Sequence, residues 1–333
     1  MPTIHDVAKL AGVAPITASR VINDSGYASE KTRKRVQAAV KKLGYVPNTL
    51  ARSLRSRRTS TLALVVTDIT NPFFTLIARS VEDTARAAGF SVIFCNTDES
   101  EAKQDEYVNI LLQKQVDGIL LVPARSRLHS VKFIQAHGAS VVLLDRRVPG
   151  AATATVLADS EGGAYQLTQL LVKLGHQRIA ILTGPEGVST AEDRVAGYQK
   201  ALAEAGFRQA AGLVHYGDFN QSSGYEMVRQ ALAAQPRPTA IFAANNFIAI
   251  GVLKALQDIG LRVPEDMAVV AFDDLPPTLV TFPFLTVAAQ PAYEMGKTAT
   301  NLLLAQLGGS KSHEEIVLPV EIILRKSSGE ALS

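Results

Sequence analysis

The residues best equipped to hold a small polar molecule recur at one kind of place, just behind a short apolar run. "VVTDITNPFF" sets Asn71, Phe73 and Phe74 behind its valines, and "VVLLDRR" ends in Asp145 and Arg146. Arg194 lies in "STAEDRVAGY", Phe219 in "YGDFN", Asn245 in "FAANN", Asp273 in "VAFDD" and Gln290 in "TVAAQP". Amides, carboxylates and guanidinium groups offer planar donors and acceptors to paired hydroxyls, and aromatic rings stack on the apolar C–H face of a sugar. The chemistry is recognition of a small sugar. Each residue also has an ordinary use. Phe73 and Phe74 suit a core at a helix start, and Asp145 and Asp273 can cap backbone amides. Arg194 can sit in a structural ion pair and Asn245 can cap a helix. Their joint placement is what favours a site.

Such placement needs a particular scaffold. "TLALVV", "FFTLIARSVEDTARAAG", "SVIFCN", "AKQDEYVNILLQKQ" and "DGILLV" alternate strand and helix patterns. The alternation continues through "SVVLLD", "RIAILT", "LVHY", "TAIFAA" and "MAVVAF". Strand–helix repetition predicts an α/β fold of doubly wound parallel sheets covered on both faces. Ligands of such sheets sit at the carboxyl ends of the strands. About 270 residues are too many for one sheet of this kind, so two lobes are expected.

Enzyme readings find little support. The chain has no dinucleotide glycine fingerprint behind a strand, no phosphate loop, no HExxH and no calcium loop. "GPEG" at 184–187 is a lone glycine-rich turn. His5, His129, His137, His176, His215 and His313 are scattered without ligand spacing, and Cys95 lies in an apolar strand. No metal, no cofactor and no catalytic activity are expected. A single cysteine excludes an internal disulfide and a cysteine zinc cluster.

The charge is divided. Residues 1–58 hold 12 Lys/Arg against 3 Asp/Glu, a net +9, and the remainder holds 22 against 28, a net −6. A basic head on an acidic body predicts a polyanionic partner for the head. "TIHDVAKLAGVAPITASRVIND" reads as two short helices. Thr3 and Asp6 form a capping box, Gly12 permits a tight turn, and Pro15 suits a first helical turn. Ala18, Val21 and Ile22 can face inward, with Pro15, Ile16, Thr17, Ser19 and Arg20 outside. In "SEKTRKRVQAAVKKLGY", Ser29 caps a third helix, Val36, Ala39, Val40 and Leu43 give its apolar stripe, and Gly44 ends it. This is a helix-turn-helix layout, whose second helix enters the major groove. Thr3, Ser29 and Thr32 are candidate phosphate anchors. The start "MPTIHDVAKL" lacks a secretory layout, and no run nears the ~18 apolar residues of a membrane span. A bacterial cytoplasmic, nucleoid-associated protein without membrane contact is expected.

"TIHDVAKLAGV", "TASRVIN" and "KTRKRVQAAVKKLGYVPNTLARSL" resemble the LacI/GalR family of bacterial transcription repressors, with the likeness running from Thr3 to about Arg325. The resemblance implies base reading by Pro15, Ile16 and Arg20. Ala14 stands where the family usually has a serine cap, and Pro15 and Ile16 stand where polar readers are common. An apolar pair can touch thymine methyls while Arg20 takes a guanine. Thr17, Ser19 and Asn23 complete the contact set of this helix. In "NTLARSLRS" the resemblance implies a hinge helix that folds on DNA, involving Asn48, Ala51, Arg52, Leu54 and Arg55. Leu54 would wedge into a base step of the minor groove; its alternative is simple packing.

The ten pocket residues resemble the sugar site of the periplasmic ribose-binding protein, except that an asparagine of that site falls on Val122. The implied organisation is a DNA-binding domain at 1–46, a hinge and linker at 47–59, and a ligand-binding core at 60–333. Its N-terminal lobe takes about 60–160 and 290–320 and its C-terminal lobe about 161–289 and 321–333, with crossovers near 159–162, 289–291 and 319–322. The expected function is a homodimeric repressor on a pseudo-palindromic double-stranded DNA operator, released by a pentose or other small sugar such as ribose. Alternatives are a purine or partner-protein corepressor, or a sugar-binding module without a DNA role. The chain ends "RKSSGEALS", without a leucine heptad tail, so no tetramer is expected.

Overall fold

A computed structural model describes residues 2–46, 58–207, 212–276, 283–310 and 313–329. The chain divides into two compact units, Met1–Thr59 and Ser60–Ser333.

The first unit packs helices α1 (Ile4–Ala11), α2 (Pro15–Ile22) and α3 (Glu30–Leu43) around Val7, Ala8, Ala11, Ala18, Val21, Val36 and Ala39. Gly12 ends α1 at φ 63°, a left-handed conformation that costs glycine nothing. The chain turns there within two residues, so α2 starts beside α1 with Pro15 in its first turn. The proposed hinge residues Asn48, Ala51, Arg52, Leu54 and Arg55 lie outside the described residues.

The second unit holds two six-stranded sheets. The first contains β1 (Thr61–Val66), β2 (Ser91–Asn96), β3 (Gly118–Leu121), β4 (Ser140–Leu144), β5 (Thr155–Ala158) and β11 (Glu315–Leu318). Its order is β11-β5-β4-β3-β1-β2 and all its pairs are parallel. Helices α4 (Pro72–Ala87), α5 (Glu101–Gln113) and α6 (His129–Ala136) link its strands. The second contains β6 (Ile179–Thr183), β7 (Val214–Tyr216), β8 (Ala240–Ala243), β9 (Ala268–Phe272), β10 (Thr286–Ala289) and β12 (Glu321–Ile323). Its order, β12-β10-β9-β8-β6-β7, repeats the first, with only β12 antiparallel. Helices α8 (Ser189–Glu204), α9 (Gln221–Leu232) and α10 (Asn246–Asp258) link its strands. The central strands are buried from end to end, which is why they read as unbroken apolar runs.

Three segments carry the chain between the sheets. Helix α7 (Ser160–Lys173) follows β5 into the second lobe, capped by Asp159, whose Oδ1 accepts from the Gly162 amide at 2.8 Å. Helix α11 (Ala292–Leu307) follows β10 back to the first lobe, where Ala292, Met295, Ala299 and Leu303 enter the core beside Ile77 and Val81. Pro319 and Val320 join β11 to β12. Cys95 is buried among Ala63, Val65 and Val108, and burial raises its thiol pKa.

Candidate functional site

A cavity of about 510 Å³ opens between the carboxyl ends of the two sheets. All ten residues singled out for sugar recognition line it, six of them between positions 71 and 194 and four between 219 and 290. Asn71 precedes α4 directly behind β1, and Asp145 ends β4. Asp273 ends β9 at the matching place in the other sheet. Both aspartates are left-handed, at φ 66° and 65°, a conformation that non-glycine residues seldom hold and that aspartate tolerates best.

The carboxylates and arginines are buried together. Asp145, Arg146, Arg194 and Asp273 are each 6% exposed or less. Burial raises the Asp145 pKa to about 6, against the lowering influence of Arg146 and Arg194. Burial likewise raises Asp273, while Arg194 and a hydrogen bond from Gln290 oppose it. Burial lowers the Arg194 pKa despite Asp273 and Asp145. For Arg146 burial disfavours the charge, but Glu99 outweighs it and the net shift is upward. Arg194 donates Nη1 to the Ala244 carbonyl at 2.6 Å, and its guanidinium lies 3.9 Å above the Phe272 ring. Arg146 lies 5.6 Å from the centre of the Phe219 ring.

Several polar atoms here are buried without a hydrogen-bond partner among the described residues: Oγ1 of Thr67, Nε of Arg146, which lies 3.6 Å from Asp145, Nε of Arg194 and Oε1 of Gln290. Such atoms carry a desolvation cost that an arriving hydroxyl would relieve. The amide of Gln290 donates to Asp273 Oδ1. Phe73 and Phe74 meet edge to face with centroids 5.0 Å apart, half in the core and half at the cavity wall.

Some sequence expectations are met by additional bonds. Asn245 does cap α10, accepting from the Ile248 amide at 2.7 Å, while it lines the cavity. Asn71 caps α4 through Phe73 N at 3.0 Å, and its Nδ2 donates to Asn246 Oδ1 at 3.0 Å. Asn246 returns a bond of 3.0 Å to Asn71 Oδ1, so this amide pair spans the two lobes. Arg147 also crosses, with its amide donating to Ser189 Oγ at 2.9 Å and its guanidinium to Asp193. Val122 packs in the first-lobe core rather than at the cavity wall.

The residue reading missed Glu99, Arg125, Asp218 and Asn220, which line the cavity from loops behind β2, β3 and β7. It also passed over Gly184, in the turn set aside as a lone glycine motif. A Cβ at Gly184 would lie 2.2 Å from the Phe219 ring, so only glycine lets that ring settle at the cavity. A glycine just behind β6 was the available signal.

In the first unit, α2 presents Pro15, Ile16 and Arg20 to solvent, with Ile16 63% exposed, while Thr17 and Ser19 are half-buried. An exposed isoleucine on a short basic helix unit suits contact with thymine methyls. Ala14 provides no side-chain cap to α2. Asn23 donates to the Ser19 carbonyl at 2.8 Å and to Ser19 Oγ at 3.2 Å. Thr3 donates its hydroxyl to Asp6 at 2.7 Å, and Ser29 shares a bond of 2.9 Å with Thr32. A phosphate at Thr3 would therefore compete with the Asp6 carboxylate.

Comparison with known proteins agrees with both halves. Residues 3–48 match the model of bacterial regulatory proteins of the lacI family, and residues 168–328 match that of the periplasmic binding protein-like domain. The chain is 35% identical over 330 residues to the HTH-type transcriptional repressor PurR of Photobacterium profundum, covering 98% of each. It is 37% identical over 307 residues to the ribose operon repressor of Halalkalibacterium halodurans, covering 92% of this chain and 91% of that one. The lac repressor dimer bound to operator and the anti-inducer ONPF superposes with a TM-score of 0.87 at 29% identity, over 98% of this chain and 99% of that one.

Proposed function

Because the chain belongs to the lacI family of bacterial regulatory proteins, a family of DNA-binding transcription repressors, we propose that its effector is ribose or a close pentose and that the sugar releases it from its operator. The protein binds operator DNA as a dimer and answers to a small sugar. The observation that carries the choice of sugar is the cavity itself. It gathers three phenylalanines, five aspartates, three arginines and a glutamine, and leaves single donors and acceptors without hydrogen-bond partners for hydroxyls.

In this reading Asp145 and Asp273 accept sugar hydroxyls, while Arg146 and Arg194 donate through Nε. Phe73, Phe74 and Phe219 face the C–H surface. The α2 residues Pro15, Ile16 and Arg20 read bases. The sugar bridges both lobes and favours their closure, and that change weakens the grip of the head on DNA. No catalytic step is assigned to any residue of the cavity. The purine corepressor alternative keeps adenine in the titration, though an edge-to-face aromatic pair offers no flat slot for a base.

Calorimetric titration with D-ribose, arabinose, xylose, galactose and adenine tests the assignment. Saturable ribose binding is expected, weakened about 30-fold or more in Arg194→Ala, since truncating a buried charged partner typically costs about 2–5 kcal/mol. Heat from adenine alone would replace this reading by corepression.

A further inference from the structure

We propose that Glu99 sets the ligand class of the cavity. It occupies the guanidinium groups of Arg146 and Arg125, so the site takes an uncharged sugar and turns away that sugar's phosphate ester. The inference rests on the sugar reading of this cavity.

Glu99 lies between β2 and α5 at φ 58° and faces the cavity. Its Oε1 accepts from Arg146 Nη2 at 2.6 Å and its Oε2 from Arg146 Nη1 at 2.7 Å. This paired fork is the face of an arginine that would otherwise grasp a phosphate. The same Arg146 Nη1 also meets the carbonyls of Pro123 at 3.0 Å and Ala124 at 3.3 Å. Arg125 lies 3.7 Å from Glu99 Oε2 and donates to the Ala124 carbonyl at 2.8 Å. Arg194, the third guanidinium of the lining, is committed to Ala244 and the Phe272 ring and stands in the field of two aspartates.

Of the helix N-termini at the cavity, the other usual home of a phosphate, four carry side-chain caps, whereas α8, whose Thr190 lines the cavity, has none. Asn71, Ser100, Asn220 and Asn245 line the cavity and each caps its own helix through a backbone amide. The described lining carries six carboxylates, of Asp68, Asp98, Glu99, Asp145, Asp218 and Asp273, against three guanidinium groups. The buried atoms of the lining that lack a hydrogen-bond partner among the described residues are Thr67 Oγ1, Gln290 Oε1 and one Nε on each of Arg146 and Arg194, that of Arg146 lying 3.6 Å from Asp145. Separate single donors fit hydroxyl oxygens, whereas a phosphate dianion would meet surplus negative charge and find the Arg146 fork already held by Glu99.

The test titrates the full-length protein with paired ligands at one ionic strength: ribose and ribose 5-phosphate, glucose and glucose 6-phosphate. In the wild type each ester is expected to bind at least ~100-fold more weakly than its parent sugar, the scale of a like-charge clash in a desolvated site. Glu99→Gln keeps the shape and removes the charge, and is expected to narrow that ratio ~10-fold or more by exposing Arg146 to the phosphate. An ester that matches its free sugar in the wild type overturns the proposal. So does an unchanged ratio in folded Glu99→Gln, and so does equal loss of both ligands, which would leave Glu99 a purely structural role. If the variant does not fold, the wild-type ratio decides. If no free sugar gives heat, the ribose reading fails separately. In that event heat from any ester overturns the exclusion, and silence from every ester overturns the claim that the site takes an uncharged sugar.

Discussion

Asp145 is held at the end of a buried strand in a left-handed conformation, and burial raises its carboxyl pKa to about 6. A sugar hydroxyl donating to that carboxylate stabilises the ionised form, so binding and deprotonation are linked. Ribose affinity is expected to be level above pH ~7 and to fall towards tenfold per unit below the Asp145 pKa. Asp145→Asn should flatten that profile; calorimetry between pH 5 and 8 reads it, and an unchanged slope in the variant assigns the titration elsewhere. The free protein has the opposite sign. A folded pKa above the unfolded value favours the folded state fully below pH ~4, and this contribution is lost as pH rises through about 6. At this scale the residue types of the site were legible, because polar and aromatic groups stand directly behind apolar runs. Glu99 was not, since its role depends on Arg146, 47 positions away.

Among the elements, α7 and α8 approach too closely for any side chain at Gly197. A Cβ there would lie 2.1 Å from the Glu161 carbonyl oxygen and 2.9 Å from the Tyr165 amide nitrogen. Backbone atoms cannot rotate away, so Gly197→Ala must separate the helices. The expected cost is about 1–3 kcal/mol, seen as a lower thermal midpoint. An unchanged midpoint would mean the pair has slack. The run "TLALVV" coincides with β1 because a two-sided apolar environment demands unbroken apolar sequence, whereas "SVIFCN" forms β2, an edge strand in which only Cys95 is buried. Strands β5, β11 and β12 escaped the element reading. They are three to four residues long, and β11 and β12 are edge strands whose exposed glutamates break the apolar run.

For the whole molecule, induction predicts a reciprocity that no single residue shows. If sugar weakens operator binding by some factor, saturating operator must weaken sugar binding by the same factor. Fluorescence anisotropy on a palindromic operator and sugar titration on the protein–DNA complex measure the two arms. Typical coupling is 5–150-fold, and sugar affinity indifferent to operator would end the induction mechanism. Within the second unit, closure acts on bonds already present across the cleft: Asn71 with Asn246, and Arg147 with Ser189 and Asp193.

The sequence by itself determined the helix-turn-helix head, the alternation of strand and helix, and the types of residue offered to a ligand. Each of these is written in local signals: caps and turn glycines, the hydrophobic period, and the position of a side chain relative to its own strand. Tertiary structure alone decided which groups meet. The amide pair of Asn71 and Asn246 joins positions 175 residues apart, and Arg146 finds Glu99 through a loop from another strand. No spacing rule encodes such pairs, because the two sheets must first form and face each other before their strand ends share one cavity.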